Sequence, residues 1–430
     1  MGNGKRKWTV MVYLAGDNNL DSAGVVDLNE MKKAGSTDEV AVVAQFDRIG
    51  NKGTTKRYYL RKGGTLAADV VANLGETNTG DPQVLRDFIL WAAATYPAEY
   101  YMTVIWNHGS GWDDEDVYRI GRSLKRNIVR RGVNISDTNF GAAVPFSTTR
   151  EITRGGLNRA VFSTSIEKAM KTRAIAFDDG ARDFLDNIEM KQVFASVRNT
   201  LGRKIDIIGM DACLMNMLEV HYQVKDQALF FVGSEETEPG DGWPYDAVLS
   251  ALAAKPAMQP KDLSAIVVDK YLKSYRASDN VTQSACDAGK AQAVAVAVDR
   301  LSRVLTAGLS NSGVRMAVTE ARSRVQSFYT ADYVDLTDLC LLLMQYTGNT
   351  EIKTACQAVI DAMMKGGMVV KSGYKGAAVS HSHGVSIYFP TKKISPLYAN
   401  LDFVKKTKWA EFLTAYQGRM KRPAGNGRLV

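Results

Sequence analysis

The feature that most constrains this chain is the stretch 204–220, in which a short apolar run ends at a cysteine. Its first part is rich in isoleucine and too short for a helix, so it predicts a buried strand. After Cys213 the apolar residues recur at helical spacing, at positions 214, 217, 218 and 222. We therefore expect a strand that stops at Cys213 and passes directly into a helix.

A thiol at that position has two interpretations. In open α/β sheets ligands and chemistry lie at the carboxyl ends of strands, and the positive end of a following helix favours a thiolate. Asp211 precedes Cys213 by two residues, so strand alternation places both side chains on one face. A free cysteine is, however, more often a small buried apolar side chain. A nearby base is needed to favour the nucleophile.

The chain has four histidines, which makes the search for that base short. His221 lies eight residues beyond Cys213, roughly 12 Å along the predicted helix, and is too far away. His381 and His383 alternate on a predicted late strand; without a third ligand at metal spacing they indicate a strand face. His108 remains, at the Gly-rich end of another apolar run. Two parallel strands ending in Cys213 and His108 predict a Cys/His site.

The first hundred residues alternate between strand and helix patterns. This alternation is typical of a mainly parallel sheet covered by helices on both faces, to which the His108 and Cys213 strands belong. The predicted strands are 8–15, 40–46 and 54–60, and the predicted helices are 25–33 and 82–96.

The later part of the chain predicts more helix than strand. We expect a catalytic core over residues 1–250 and a C-terminal α+β subdomain over 251–430 that packs on it. The predicted helices are 260–275, 290–309, 314–328, 335–346 and 409–416, and the predicted strands are 281–286, 369–370 and 376–389.

Five sequence blocks carry a resemblance to a known family. A strand ending in His-Gly, followed by one ending in Asp-Ala-Cys, resembles the caspase, legumain and gingipain clan of cysteine peptidases. Within that clan the chain is similar to the clostripain family, which implies a caspase-like α/β fold. The blocks are Trp8–Leu20, Trp106–Trp112, Met210–Met215, Ser234–Trp243 and His383–Pro390.

The resemblance implies a thiol peptidase with a catalytic dyad. Cys213 is expected to attack the scissile carbonyl, and His108 to manage the proton and protonate the leaving amine. The backbone N–H groups of Gly109 and Cys213 are expected to hold the oxyanion. We find no third member of a triad in the sequence.

The acidic turn Ser234–Trp243, which follows a predicted strand at 228–232, predicts the substrate preference. Its loop should open on the same sheet edge as Cys213, where its carboxylates are either solvated charges or a site for a cation. Asp211 and Asp241, with Glu238 in reserve, suit the planar donors of a guanidinium. The family resemblance likewise implies protein or peptide substrates cleaved after Arg or Lys.

A strongly basic segment separates the two catalytic blocks. Between Arg119 and Arg173 there are twelve basic and three acidic residues, a local net charge of +9 in a chain of net charge +8. Scattered glycines predict an exposed insertion at about 114–173. It has few aromatics to stack on bases, so we expect no nucleic-acid partner. It is either a solvated insertion or a set of cleavage sites.

The resemblance favours the second alternative, because clostripain-like chains are cut between the His and Cys blocks. The two fragments stay together, so the cleaved fragment is itself a partner. We expect autocleavage after Arg173, since core-like sequence resumes at Ala174.

Location and cofactors are less constrained. The polar first residues lack the apolar segment of a secretion signal, so either the protein is cytoplasmic or an export segment has been removed. Of these alternatives we expect a secreted or cell-envelope protein. No apolar run reaches membrane-spanning length. We expect no metal or cofactor; family members respond to calcium, which makes calcium a candidate activator, but no ligand motif accompanies it.

The main alternative is a different class of protein. A caspase-like fold without catalysis could use the basic insertion to hold an anionic partner. The presence of both Cys213 and His108 argues against this alternative.

Overall fold

The computed structural model describes residues 5–17, 20–48, 54–107, 112, 185–364 and 366–420. The described strands are β1 (Arg6–Gly16), β2 (Val40–Arg48), β3 (Thr55–Tyr59), β4 (Val70–Gly75), β5 (Ala98–Trp106), β6 (Ile205–Asp211), β7 (Ala228–Gly233), β8 (Val281–Asp287), β9 (Tyr333–Asp335), β10 (Val369–Lys375) and β11 (Ser386–Tyr388).

Helices flank these strands along the chain. They are α1 (Asp21–Ala34), α2 (Pro82–Thr95), α3 (Asn187–Leu201), α4 (Leu218–Val224), α5 (Tyr245–Ala254), α6 (Pro260–Ser274), α7 (Ala291–Gly308), α8 (Ser312–Arg324), α9 (Leu336–Tyr346), α10 (Thr350–Met363), α11 (Asp402–Lys406) and α12 (Trp409–Met420).

Nine strands form one sheet in the order β10-β8-β7-β6-β5-β1-β2-β3-β4. The central strands β7, β6, β5, β1 and β2 are mutually parallel. The outer pairs on both sides are antiparallel. The predicted α/β fold with a mainly parallel sheet is therefore confirmed, and β5 and β6 lie in its middle.

Each face of the sheet has its own apolar core. Along β1, Met11 and Tyr13 belong to one core, whereas Val10 and Val12 belong to the other. This follows from the alternation of side chains along a strand. Helices α2, α3 and α4 cover the first face, and α1, α5 and α6 cover the second. A fully buried aliphatic side chain contributes about 1.5–3 kcal/mol, so the sheet is held rigidly from both sides.

The C-terminal half supplies two strands of this sheet. β8 pairs antiparallel with β7, and β10 pairs antiparallel with β8. β9 and β11 form a separate two-stranded antiparallel sheet. Residue 250 lies inside helix α5. The division into a core over 1–250 and a subdomain over 251–430 stays a prediction.

Several local expectations need correction. The predicted strand 376–389 is reduced to β11, because a 3-10 turn at Ala377–Val379 and left-handed backbone at Gly376 and Gly384 interrupt it. His381 and His383 thus lie in the loop before β11 and not on a strand. The sequence patterns also missed β4 and the helices α3, α5 and α10.

No helix among the described residues is both long enough and apolar enough to span a membrane.

Candidate active site

The two strands that carry the predicted dyad are direct neighbours. β5 and β6 run parallel, and Trp106 is the register partner of Asp211 at their carboxyl ends. His108 and Cys213 each follow one of these partners by two residues. His108 and Gly109 themselves lie outside the described residues, as do Arg173 and the basic insertion. The described parts of β5 and β6 therefore end at the same level of one sheet edge.

The backbone after β6 differs from the prediction. Helix α4 begins at Leu218 and not directly after Cys213. Leu214 has a φ of 63°, in the left-handed region, so a helix cannot start there. Its N–H donates to the carbonyl of Glu236 over 3.1 Å, and the N–H of Asn216 donates to Ser234 over 2.9 Å. The turn after β7 thus takes the place of helical hydrogen bonds in holding this loop.

That arrangement changes the surroundings of the thiol. Cys213 is only 2% exposed. Its Sγ accepts a hydrogen bond from the N–H of Glu238 over 3.2 Å and lies 3.8 Å from the carbonyl oxygen of the same residue. Both contacts are made by the backbone of one residue, which holds Sγ in a defined position. This donor belongs to the acidic turn, whereas the sequence predicted that the amino-terminal end of a helix would lie next to the thiol.

Two of the three remaining cysteines are poor nucleophiles. Cys286, Cys340 and Cys356 are free and completely buried. Burial raises the pKa of Cys286 to about 12. The pKa of Cys340 lies well above its usual value because of its contact with Cys356 and its burial. Neither Cys286 nor Cys340 forms a thiolate near neutral pH.

Asp211 is completely buried at the end of β6. Its Oδ2 accepts a hydrogen bond from the hydroxyl of Tyr245 over 2.8 Å and one from the N–H of Trp243 over 3.4 Å. The carboxylate is therefore oriented by the first residues around helix α5. Sequence spacing offered no signal for Tyr245, which lies 34 residues away.

The other two predicted substrate-binding acids occupy different surroundings. Glu238 is buried, and its Oε1 accepts a hydrogen bond from Nε2 of Gln283 over 3.3 Å. Asp241 is exposed. Of these two acids, Glu238 therefore lies beneath the surface and Asp241 faces solvent. Their role in binding stays a prediction.

Glu235, on the same turn, forms a pair of buried acids with Asp335. Oε2 of Glu235 accepts a hydrogen bond from the N–H of Gly384 over 2.8 Å. Burial, and then the neighbouring carboxylate of Asp335, raise the pKa of Glu235 well above its usual value. Nδ1 of His383 lies 3.1 Å from Oδ1 of Asp335. The sequence offered no signal for this pairing, because Glu235 and Asp335 lie far apart along the chain.

His221 is committed to a different contact. It is completely buried, and its Nε2 lies 2.6 Å from Oδ1 of Asn216. Burial lowers its pKa to about 3, so the ring is neutral at physiological pH. The amide nitrogen of Asn216 donates in turn to the carbonyl of Gly384 over 2.5 Å and to the hydroxyl of Ser284. His221 thus stabilises the loop after Cys213 through its contact with Asn216.

No cluster of three or more His, Cys, Asp or Glu side chains suited to a metal ion occurs in the described part of the chain.

The α/β fold, with a cysteine just beyond a central parallel strand, suits a cysteine peptidase. The sequence profile of the clostripain family matches residues 12–125 and 163–416. The chain therefore belongs to the clostripain family of cysteine-type peptidases, as the five sequence blocks predicted. The profile leaves 126–162 unmatched, and this gap falls inside the predicted basic insertion.

A curated relative and two solved structures are similar to the chain. Clostripain from Hathewaya histolytica is 24% identical over 370 residues, which cover 74% of this chain and 60% of that protein. The chain thus spans about 60% of the length of this relative.

The two structures establish the fold. A secreted C11 cysteine protease from Bacteroides thetaiotaomicron, in complex with an irreversible peptide inhibitor, superposes with a TM-score of 0.61 at 19% identity, covering 94% of this chain and 99% of that one. An inactive zymogen C11 protease from Parabacteroides distasonis gives a TM-score of 0.64 at 17% identity, with coverages of 95% and 99%.

Proposed function

We propose that the chain is an endopeptidase that cleaves after Arg or Lys with a Cys213/His108 dyad. The observation that supports this most strongly is the register of β5 and β6, in which Trp106 and Asp211 are partners. Each catalytic residue follows its strand by the same two residues. Covalent geometry limits how far either can move from the paired strand ends.

The proposed reaction begins at the sulfur. The Cys213 thiolate attacks the scissile carbonyl carbon, and the tetrahedral oxyanion is held by the backbone N–H groups of Gly109 and Cys213. His108 takes up the thiol proton and gives it to the departing amine as the C–N bond breaks. Water activated by His108 then hydrolyses the thioester and returns the free thiol. The N–H of Glu238, directed at Sγ, holds the sulfur in position.

The preference for a cationic side chain is assigned to the acids around the thiol. Asp211 is buried two residues before Cys213 and is oriented by Tyr245. Glu238 contacts the sulfur through its backbone and keeps its carboxylate buried. Asp241, on the same turn, faces solvent. An Arg or Lys side chain would neutralise this concentration of negative charge, whereas an acidic side chain would add to it.

Activation is proposed to be autocatalytic. The family profile skips 126–162, and this region belongs to a basic segment that offers many Lys and Arg positions to a protease of that preference. Cleavage after Arg173 would separate the His108 part from the Cys213 part and leave two associated chains. We also propose that the protein is exported, as the related Bacteroides protease is described as secreted.

A fluorogenic peptide ending in Arg tests the peptidase proposal. Wild-type protein should release the fluorophore, and iodoacetamide should stop the release. Cys213→Ala should be inactive, whereas Cys286→Ala, which removes a buried thiol of raised pKa, should stay active. Iodoacetamide-resistant hydrolysis by wild type would contradict a thiol mechanism.

A further inference from the structure

Trp112, which follows the predicted catalytic histidine by four residues, belongs to an aromatic cluster. Trp112 is 3% exposed, and its ring centroid lies 4.6 Å from that of Tyr388 and 4.6 Å from that of Tyr398. The two tyrosine rings are themselves 4.8 Å apart. Aromatic pairs at these distances contribute about 0.5–1.5 kcal/mol beyond the burial of their area. Trp112 is therefore firmly seated between two residues from the C-terminal part of the chain.

A buried carboxylate holds this cluster from the side of the cysteine. Glu219, the second residue of α4, is completely buried. Its Oε1 accepts a hydrogen bond from the hydroxyl of Tyr398 over 2.7 Å and one from the N–H of Tyr388 over 3.0 Å. Burial raises the pKa of Glu219 to about 7. Both residues that enclose Trp112 are thus tied to the helix that follows the Cys213 loop.

Connectivity gives this cluster its significance. Trp112 follows His108 by four residues, and Glu219 follows Cys213 by six. On the other side of His108, Asn107 is 2% exposed at the end of β5. Trp112 is therefore linked through Tyr398 and Glu219 to the helix that follows Cys213.

We propose that Trp112, Tyr398 and Glu219 form an anchor that positions His108 relative to Cys213. The proposal rests on the proposed peptidase function. The three side chains are positioning residues: they act through the backbone on either side of the dyad and do not touch the substrate.

Packing alone does not account for Glu219. A buried ionisable carboxyl costs stability relative to an apolar side chain of similar volume. What the carboxyl supplies is a defined acceptor, which holds the Tyr398 hydroxyl and the Tyr388 N–H at one oxygen. The bond to the Tyr398 hydroxyl restricts that ring, and the bond to the Tyr388 N–H holds the backbone that carries the second ring, which apolar contact does not. This distinction separates a positioning role from a filling role and can be measured.

The test compares four variants with wild type. Tyr398→Phe removes one donor, Glu219→Leu removes the acceptor, and Glu219→Gln keeps an acceptor oxygen without the charge. Tyr416→Phe is the matched control, because the Tyr416 hydroxyl lies 3.1 Å from Thr319 Oγ1, away from Trp112. Two measurements are made: kcat and KM on an Arg peptide, and hydrogen exchange of the backbone amides over residues 104–112.

Loss of the anchor should lower turnover without affecting substrate binding. We expect Tyr398→Phe to lower kcat about tenfold and Glu219→Leu about 100-fold, with KM within about twofold of wild type. Glu219→Gln should recover most of the turnover that Glu219→Leu loses. Amide exchange over 104–112 should be faster in Tyr398→Phe and Glu219→Leu, and unchanged in Tyr416→Phe.

Two results would overturn the anchor. One is a kcat of Tyr398→Phe and Glu219→Leu equal to that of Tyr416→Phe. The other is unchanged amide exchange over 104–112 in both variants. An inactive wild-type protein would refute the peptidase function alone, because hydrogen exchange reports the anchoring without requiring turnover.

Discussion

The backbone N–H of Glu238 donates a hydrogen bond to the sulfur of Cys213 over 3.2 Å. The nucleophile is thereby joined to the acidic turn proposed to recognise the substrate. The carbonyl of Glu236, on the same turn, accepts a hydrogen bond from the N–H of Leu214. If a substrate side chain occupies this turn as proposed, its binding would be coupled physically to the environment of the thiol.

Replacing Glu238 by Gln separates these two roles. The backbone N–H to sulfur is retained, so the rate at which iodoacetamide alkylates Cys213 should stay within about twofold of wild type. The lost carboxylate should raise KM for an Arg peptide by about tenfold. Alkylation kinetics and steady-state kinetics on the same preparation check both expectations. A fall in alkylation rate with unchanged KM would place Glu238 outside the binding site.

Only one cysteine and one histidine should be essential. Cys213→Ala and His108→Ala should each lower kcat/KM by at least about 1000-fold, because the first removes the nucleophile and the second removes the general base. Cys340→Ala and Cys356→Ala should retain turnover, since these buried thiols lie on α9 and α10. Initial rates on a fluorogenic Arg peptide decide this. Full activity in His108→Ala would remove the dyad.

Substrate preference should depend on Asp211 more than on Asp241. Asp211→Asn keeps an oxygen for Tyr245 and Trp243 but removes buried charge, and should lower kcat/KM for Arg peptides by about 100-fold. Asp241→Asn, at an exposed position, should cost about tenfold or less. Exposed Asp226→Asn is the control. A peptide library should show Arg and Lys at the cleaved position, and a profile led by acidic or apolar residues would refute the pocket.

Autoprocessing should depend on the protein's own thiol. Wild-type protein on a denaturing gel should give two main bands, with a new amino terminus at Ala174 or after another basic residue of the insertion. Cys213→Ala should give one band, and Arg173→Gln should move or abolish the main cut. A wild-type protein that is uncut and fully active would make the insertion irrelevant to activation.

Stability should depend on the protonation of Glu219. Burial raises its pKa from 4.5 to about 7, so the folded state binds this proton more tightly than the unfolded state. Its stabilising contribution is complete below pH 4.5 and is lost as the pH rises through about 7, which amounts to about 3 kcal/mol.

Glu219→Gln should be free of this dependence. Both proteins are best compared in the Cys213→Ala background, which prevents self-cleavage, by denaturant unfolding at pH 5 and pH 8. The stability of the protein that retains Glu219, relative to the Glu219→Gln variant, should fall between these values. An equal difference at both pH values would show that the Glu219 pKa is not raised.

Local patterns predicted the elements that run straight through the core. The central strands are mainly apolar because both faces of the sheet are covered, and the end of the strand before Cys213 was therefore recognisable. The sequence patterns failed where backbone hydrogen bonds to another segment took the place of the expected helix. The helix expected directly after Cys213 begins five residues later, because Leu214 and Asn216 bond to the turn after β7. That turn lies about 20 residues further along the chain, so no local periodic pattern could reveal the contact.

The sequence by itself determined the family, the parallel core and the candidate Cys213/His108 pair, since these depend on residue type, order and spacing along one strand at a time. Tertiary structure alone decided which groups surround the thiol. Tyr398 and Glu219 are 179 residues apart, and Tyr245 and Asp211 are 34 apart. Their hydrogen bonds exist because the sheet and its covering helices bring distant segments together, and a buried polar group must then find its partner among whatever the fold places beside it.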